Sequence, residues 1–459
     1  MRDARSPTAR RRLLVLLVLL VVVAAGCDWP MFRAGPAGTG FNSTENKIGV
    51  ANVGSLVRKW EGATDFALYG TRTSPAVANG VVYVSSDDGP LYAFNAAGKT
   101  GCSGTPKTCS PLWTAPAGVN YSNGAPAVAN GVVYVTATDG TVTAFDAAGT
   151  TGCAGTPKTC SPLWTATVGS PVFSSPIVAN GFVYVSSDDG KLYVFDAAGT
   201  TGCAGTPKTC SPVWTATIGG GMQGSSPAIA NGVAYVGSKD GKVYAFDAAG
   251  TTGCAGTPKS CTPLWTTVGS GGSAFSSPVV ANGFVYVSSD DRKLYAFGAA
   301  GTTGCSGTPK TCSPLWWTAN INTNRNFSPA VAKGVVYVGG FAGLFAFDAA
   351  GTTGCSGTPK TCSPLWTALP YERPYPDYPY SLAVANGVVY VGGLFGGLFA
   401  LDAAGTTGCS GTPKTCNPLW FSNTIGSPGM VNQLSSPAVA NGLVYYHTGL
   451  GDVLAFGLP

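Results

Sequence analysis

Charge and titratable chemistry are what this sequence has least of. Only 10% of its 459 residues are charged; glutamate occurs three times (Glu45, Glu61 and Glu372) and histidine once, at His447. One histidine leaves a single candidate base for any His-dependent triad. His447 stands beside Tyr445 and Tyr446 and reads as a strand position, and nearby Asp452 reads as a turn residue. There is no C-x-x-C-H run and no pair of adjacent cysteines. The basic excess is local: five arginines and one aspartate in residues 1–26 carry +4 of the formal +5, leaving +1 for the rest. That remainder lacks the basic face that nucleic acid requires.

The first residues explain that asymmetry. Arg10, Arg11 and Arg12 close a basic segment, and an apolar run from Leu13 to Ala25 follows. As a helix it would span about 20 Å, short of the roughly 30 Å hydrocarbon core. Residues 1–26 are therefore expected to be a signal peptide, outside the fold. The run ends in Ala24-Ala25-Gly26-Cys27, which resembles a bacterial lipobox with Ala24 where leucine is usual. That resemblance implies lipidation at Cys27, with residues 27–55 as tether and lead-in to the fold. A plain secretory signal is the alternative, and export by the general or the twin-arginine route stays open. Either way the chain is exported, and with the lipid it is held at the membrane on the extracytoplasmic side. Asp28 resembles an inner-membrane retention signal should the envelope have two membranes.

Cysteine usage agrees with export. Beside Cys27 stand fourteen cysteines in seven C-x6-C pairs: Cys102/Cys109, Cys153/Cys160, Cys203/Cys210, Cys254/Cys261, Cys305/Cys312, Cys355/Cys362 and Cys409/Cys416. In an oxidising compartment these short loops are expected to close as local disulfides. The spacing is not that of a zinc site and histidine partners are missing, so no metal is expected.

Each pair belongs to a longer repeat of about 51 residues, written out at residues 174–214. An apolar strand runs to a turn at Asn180-Gly181, and a second runs from Phe182 to Ser186. Asp188-Asp189-Gly190 turn the chain into a third strand, Lys191 to Phe195. The cysteine hairpin then leads to a fourth strand at Val213-Trp214-Thr215. Asn-Gly and Asp-Gly favour tight hairpins because both accept positive φ. Four strands in such a period make one propeller blade. Eight three-strand modules occur, and eight tryptophan strands: Trp60, Trp113, Trp164, Trp214, Trp265, Trp316, Trp366 and Trp420. The surplus tryptophan strand precedes the first module, and the last module has none. A ring in which Trp60 completes the eighth blade resolves the mismatch. An open array would instead need capping repeats. The expectation is an all-β, eight-bladed β-propeller over residues 56–459, closed by an N-terminal strand.

The lead-in WPMFRAGPAGTG, the modules SPAVANGVVYV and DGxLYAFDAAG, and the following tryptophan resemble the pyrroloquinoline-quinone (PQQ)-repeat propellers. These include quinoprotein alcohol dehydrogenases, polyvinyl-alcohol dehydrogenase-like proteins and the propeller lipoprotein of β-barrel assembly. The resemblance implies that the eight tryptophans dock between blades. The cysteine hairpin departs from the family's short turn. Family dehydrogenases hold PQQ over calcium with acidic and amide ligands, which scarce glutamate makes hard to assemble here.

Binding is legible mainly by contrast. The cysteine hairpins are nearly identical, whereas the loops from strand four to the next strand one differ in every blade. Variable loops on a rigid scaffold are where binding concentrates. Tyr69, Arg72, Tyr121, Arg325, Tyr371, Arg373, Tyr375 and Tyr378 are the candidate ligand-binding residues on that face, richest in the PYERPYPDYPY loop. No catalytic residues and no cofactor are expected. The favoured reading is an envelope-anchored monomer binding a protein, polymer or carbohydrate. The alternative is a PQQ- and calcium-dependent oxidoreductase that passes electrons to a separate carrier.

Overall fold

A computed structural model describes residues 27–64, 73–86, 89–116, 124–221, 225–270, 275–324, 326–369, 381–393, 397–422, 435–448 and 451–459. Between 370 and 380 it gives only the backbone of 371–373, 375–377 and 379–380. Eight antiparallel meanders form a ring, as the repeat predicts. In blade 3 the strands are Ile177–Ala179, Phe182–Ser187, Lys191–Asp196 and Trp214–Thr217. Asn180 and Gly181 take φ of 51° and 81°, the left-handed pair that a two-residue hairpin requires. Both faces of each central strand are buried against neighbouring blades, which is why Val183, Tyr184 and Val185 follow one another without polar alternation.

Ring closure occurs where the surplus tryptophan placed it. Val57–Ala63 runs antiparallel to Asp452–Gly457, pairing Trp60 with Ala455. Asp452 therefore opens a strand and is not a turn residue.

The cysteine hairpins do more than join strands three and four. The second arm of each lies parallel to the fourth strand of the preceding blade, as with Trp214 opposite Lys259 and Thr215 opposite Ser260. Each hairpin thus straps two blades together, and six-stranded sheets result. All seven disulfides form, each within its own hairpin.

The disulfides are local, as expected, but the two cysteines of a pair are not equivalent. The first of each pair is half-buried. The second is a core residue: Cys109, Cys160, Cys210, Cys261, Cys312, Cys362 and Cys416 are all buried. The strap is the physical reason. Lying along the preceding blade, its second arm brings the sulfur into the apolar cluster that holds that blade's docking tryptophan. Cys109 joins Trp60 there, Cys160 joins Trp113, and Cys210 and Cys261 share one cluster with Trp164 and Trp214. Cys312, Cys362 and Cys416 likewise join Trp265, Trp316 and Trp366. These seven cysteines therefore pack between blades as well as closing a loop.

An aspartate at the end of strand three anchors the strap in five blades. Asp196, for example, accepts from the Thr200 hydroxyl at 2.5 Å and from the amides of Thr200 and Thr201. Burial alone would raise that carboxyl, but these hydrogen bonds outweigh it and hold its pKa below the usual range.

Between blades, one carbonyl recurs as the joint. Tyr184 of blade 3 donates its hydroxyl to Ala248 O of blade 4 at 2.9 Å, and the same bond recurs from Tyr83, Tyr134, Tyr235, Tyr286, Tyr337 and Tyr445. The docking tryptophan lies against the glycine beside that alanine. A Cβ on Gly199 would stand 2.3 Å from Trp164 Cδ1, so only glycine admits the ring.

Candidate functional site at the mouth of the channel

A ring of eight innermost strands leaves eight rows of backbone groups facing the central channel, and those groups need partners. The lead-in supplies them at the Asn-Gly end. It makes one circuit of the channel in blade order. Trp29 bridges to Val77 of blade 1, and Pro30 O accepts from the Val128 amide of blade 2. Met31 packs in the cluster containing Val178 of blade 3. Pro36, Ala37, Thr39 and Gly40 carbonyls then accept from Ile229, Val280, Val331 and Val384 of blades 4 to 7. Phe41–Asn42 pairs parallel with the first strand of blade 7, and Asn42 Nδ2 reaches Val439 O of blade 8 at 2.8 Å. What the sequence suggests is a tether is, from Cys27 onward, a stitch through all eight blades.

Arg33 fills the middle of this winding. It is 2% exposed and held in the left-handed region at φ 60°, ψ 40°. Such a backbone costs about 1–2 kcal/mol in a non-glycine residue and persists only where the surroundings enforce it. Its Nε donates to Gly38 O at 2.9 Å, its Nη1 donates to Ser328 O at 3.1 Å, and its guanidinium carbon sits 5.8 Å from the Phe32 ring centre. Nη2 has no hydrogen-bond partner among the described residues. Burial pulls the guanidinium pKa down to about 9, which leaves it charged at neutral pH.

At the other end of the channel, where the four-to-one loops enter, a serine collar binds the first strands edge to edge. The amides of Ala125, Ser175 and Ser226 donate to the hydroxyls of Ser175, Ser226 and Ser277, one blade on, each at 2.9 Å; Ser436 does the same to Ser74. Ser328, the carbonyl partner of Arg33, is the collar position of blade 6. Among the described residues this collar is built of serine hydroxyls and backbone amides, and the incompletely partnered Arg33 donates to one of its carbonyls. Nothing in composition or spacing singled out Arg33 or the collar. The one signal was the SSP repeated before the first strands, which reads equally well as a turn.

Five of the eight predicted ligand-binding residues escape description. Tyr69, Arg72, Tyr121, Arg325 and Tyr378 lie outside the described residues. Tyr371–Arg373 and Tyr375–Asp377 form a short antiparallel hairpin pairing Arg373 with Tyr375, rather than a simple loop.

His447 is fully buried, at the seam where blade 8 meets blade 1. Its Nε2 lies 3.2 Å from Thr64 Oγ1 and its Nδ1 lies 3.3 Å from Thr73 Oγ1. Burial drives its pKa down to about 4, so it is neutral and sealed from any substrate. Cys27, the one free cysteine, sits at the Asn-Gly end, its amide on Asn441 Oδ1 and its thiol on Thr44 O.

A quinone with calcium would need carboxylate and amide ligands grouped at the channel. Among the described residues no three of His, Cys, Asp and Glu come together, and the collar hydroxyls are already engaged between blades. The described residues do not fit such a group, and no chemical step is derived through it.

Residues 55–152 and 149–352 match the family model of the outer membrane protein assembly factor BamB. Comparison with curated protein sequences finds no match. Among solved structures, BamB from Moraxella catarrhalis is similar, with 16% identity and a TM-score of 0.58 over 88% of this chain and 97% of that one. Quinohemoprotein alcohol dehydrogenase ADHIIG from Pseudomonas putida HK5 is similar at 14% identity and a TM-score of 0.63, over 94% and 80%. A computationally designed protein, Ika8, matches at 14% identity and a TM-score of 0.61, over 86% and 98%. At such identities the likeness speaks to fold alone.

Proposed function

This chain belongs to the family of the outer membrane protein assembly factor BamB, and we propose that it is an envelope-anchored, non-catalytic propeller that binds a protein partner through its four-to-one loop face. The observation that carries this reading is the polarity of the molecule. One end holds the Asn-Gly turns, and there Cys27 and the lead-in bond the Asn441-Gly442 turn of blade 8. The other end carries the uncharged collar and the loops that differ from blade to blade. No helix among the described residues is long and apolar enough to cross a membrane. In this reading a lipid on Cys27 is the anchor. Because Cys27 is bonded directly to blade 8 with no slack between, that lipid would set the Asn-Gly end against the membrane and aim the loops away from it.

Tyrosines suit such a face, since they supply contact area at low entropy cost. The test compares the mature chain with a Tyr375→Ala/Tyr378→Ala variant, each crosslinked in isolated envelopes and identified by mass spectrometry. The expected result is a protein partner that the variant loses while its melting temperature holds. A partner retained by the variant, or saturable PQQ binding with calcium and dye-linked alcohol oxidation, overturns the reading.

A further inference from the structure

Blade 5 breaks the repeat at Trp317 and Arg292, around one cavity, and we propose that this cavity is a second binding site, for a pyranose ring of a carbohydrate. The residue after the docking tryptophan is threonine in five blades (Thr114, Thr165, Thr215, Thr266 and Thr367), but in blade 5 it is Trp317. Trp317 pairs across the sheet with Tyr295, their ring centres 6.3 Å apart. Tyr295 stacks on Phe297 at an interplanar angle of 18°, and Phe275 meets both edge-on at 5.8 and 6.3 Å. These four rings wall a cavity of about 400 Å³, with Asp291 and Lys293 also in its lining. That volume lies within the range of small-molecule sites, roughly 300–1,000 Å³.

The carboxylate tells the same story against its own copies. In blades 3 and 4 the equivalent aspartates are fully used. Asp189 and Asp240 each accept from a tyrosine hydroxyl through Oδ2 and from the Lys191 or Lys242 amide through Oδ1 at 3.1 Å. The Tyr244 hydroxyl also accepts the Gly219 amide of the overlying loop at 3.0 Å. In blade 5, Arg292 replaces the turn glycine, at φ 73°. Asp291 keeps the tyrosine bond through Oδ2, while its Oδ1 is buried with no partner among the described residues. A buried carboxylate oxygen left without a donor is expensive unless something brings one.

The chemistry of the walls selects the ligand. An aromatic face attracts the C–H face of a sugar ring, and a carboxylate beside an ammonium offers an acceptor and a donor to adjacent hydroxyls. A small organic ammonium would satisfy the rings and Asp291 but be repelled by Lys293.

The test is calorimetric titration of the mature protein with cellobiose, maltose and N,N′-diacetylchitobiose, and with choline as the cationic control. At least one disaccharide should bind saturably at one site. Trp317→Thr, which restores the residue of the other blades, should weaken it tenfold or more, and so should Asp291→Asn. Should Trp317→Thr misfold, Asp291→Asn carries the same reading. No saturable disaccharide binding, binding unchanged in both variants, or binding of choline alone overturns the proposal.

Discussion

Seven of the eight seams between blades are built alike, and the seam between blades 7 and 8 is not. At the seven, a tyrosine hydroxyl reaches the alanine carbonyl of the next blade, a tryptophan lies on the adjacent glycine, and a disulfide hairpin straps the outside. Among the described residues no cysteine hairpin pairs with the Trp420 strand of blade 7. The lead-in substitutes: Trp420 Nε1 donates to Leu56 O at 3.0 Å, and its ring meets Phe456 at 5.1 Å. The substitution is incomplete. Trp420 stays half-buried, and the Tyr390 hydroxyl is buried without a partner among the described residues.

The largest expected effect tests that difference with one substitution made twice. Trp60 is 0% exposed and donates to Ala96 O at 2.9 Å. Trp60→Ala should lower stability by about 3–5 kcal/mol, as truncation of a buried aromatic does. Trp420→Ala, at the half-buried site, should lower it by clearly less. Urea midpoints at fixed slope decide it, and equal losses would mean the two seams are energetically alike.

The ring-closing seam should also respond to acid, through His447. Its pKa is about 4 in the folded protein against an ordinary 6.5. The unfolded chain therefore takes up this proton first as pH falls. Stability from the neutral ring is complete above pH 6.5, drains between 6.5 and 4, and changes no further below. The full loss is about 3 kcal/mol, and subtracting the profile of His447→Gln isolates it from the carboxylates. Parallel profiles would show that the histidine is not coupled to folding.

The ring was readable because it follows from counting: eight modules, eight tryptophans and an offset between them leave one topology. The disulfides were readable for the same reason. The straps were not, because nothing in a local C-x6-C spacing says which blade its outer edge will pair with. For the same cause the spacing could not say that Cys261 would be buried against another blade while Cys254 stays near the surface. The winding lead-in and Arg33 were hidden differently. Residues 28–42 have no periodicity since they meet one blade after another, and circular geometry leaves no linear trace. The blade 5 cavity was visible in principle, as Trp317 where threonine repeats, but its meaning depended on Asp291 losing a bond that the aspartates of blades 3 and 4 keep.

The smallest effect is the sharpest form of the comparison, because it predicts a difference in sign or nearly so. Tyr184→Phe removes a buried hydroxyl whose acceptor, Ala248 O, is left behind in a dry interface. That should lower stability by about 1 kcal/mol, the usual net worth of such a bond. Tyr390→Phe removes the same atom from the same position of blade 7, where it bonds nothing among the described residues. Burial pushes both phenols above their ordinary pKa, so both are neutral hydroxyls at any working pH and differ only in having an acceptor. Removing an unsatisfied hydroxyl relieves a desolvation penalty, so Tyr390→Phe should be neutral or stabilising. Thermal denaturation of the two variants beside the parent reads the contrast directly. A loss at Tyr390 equal to that at Tyr184 would mean that the eighth seam offers its tyrosine a partner after all, and that the asymmetry between the seams is one of sequence without being one of energy.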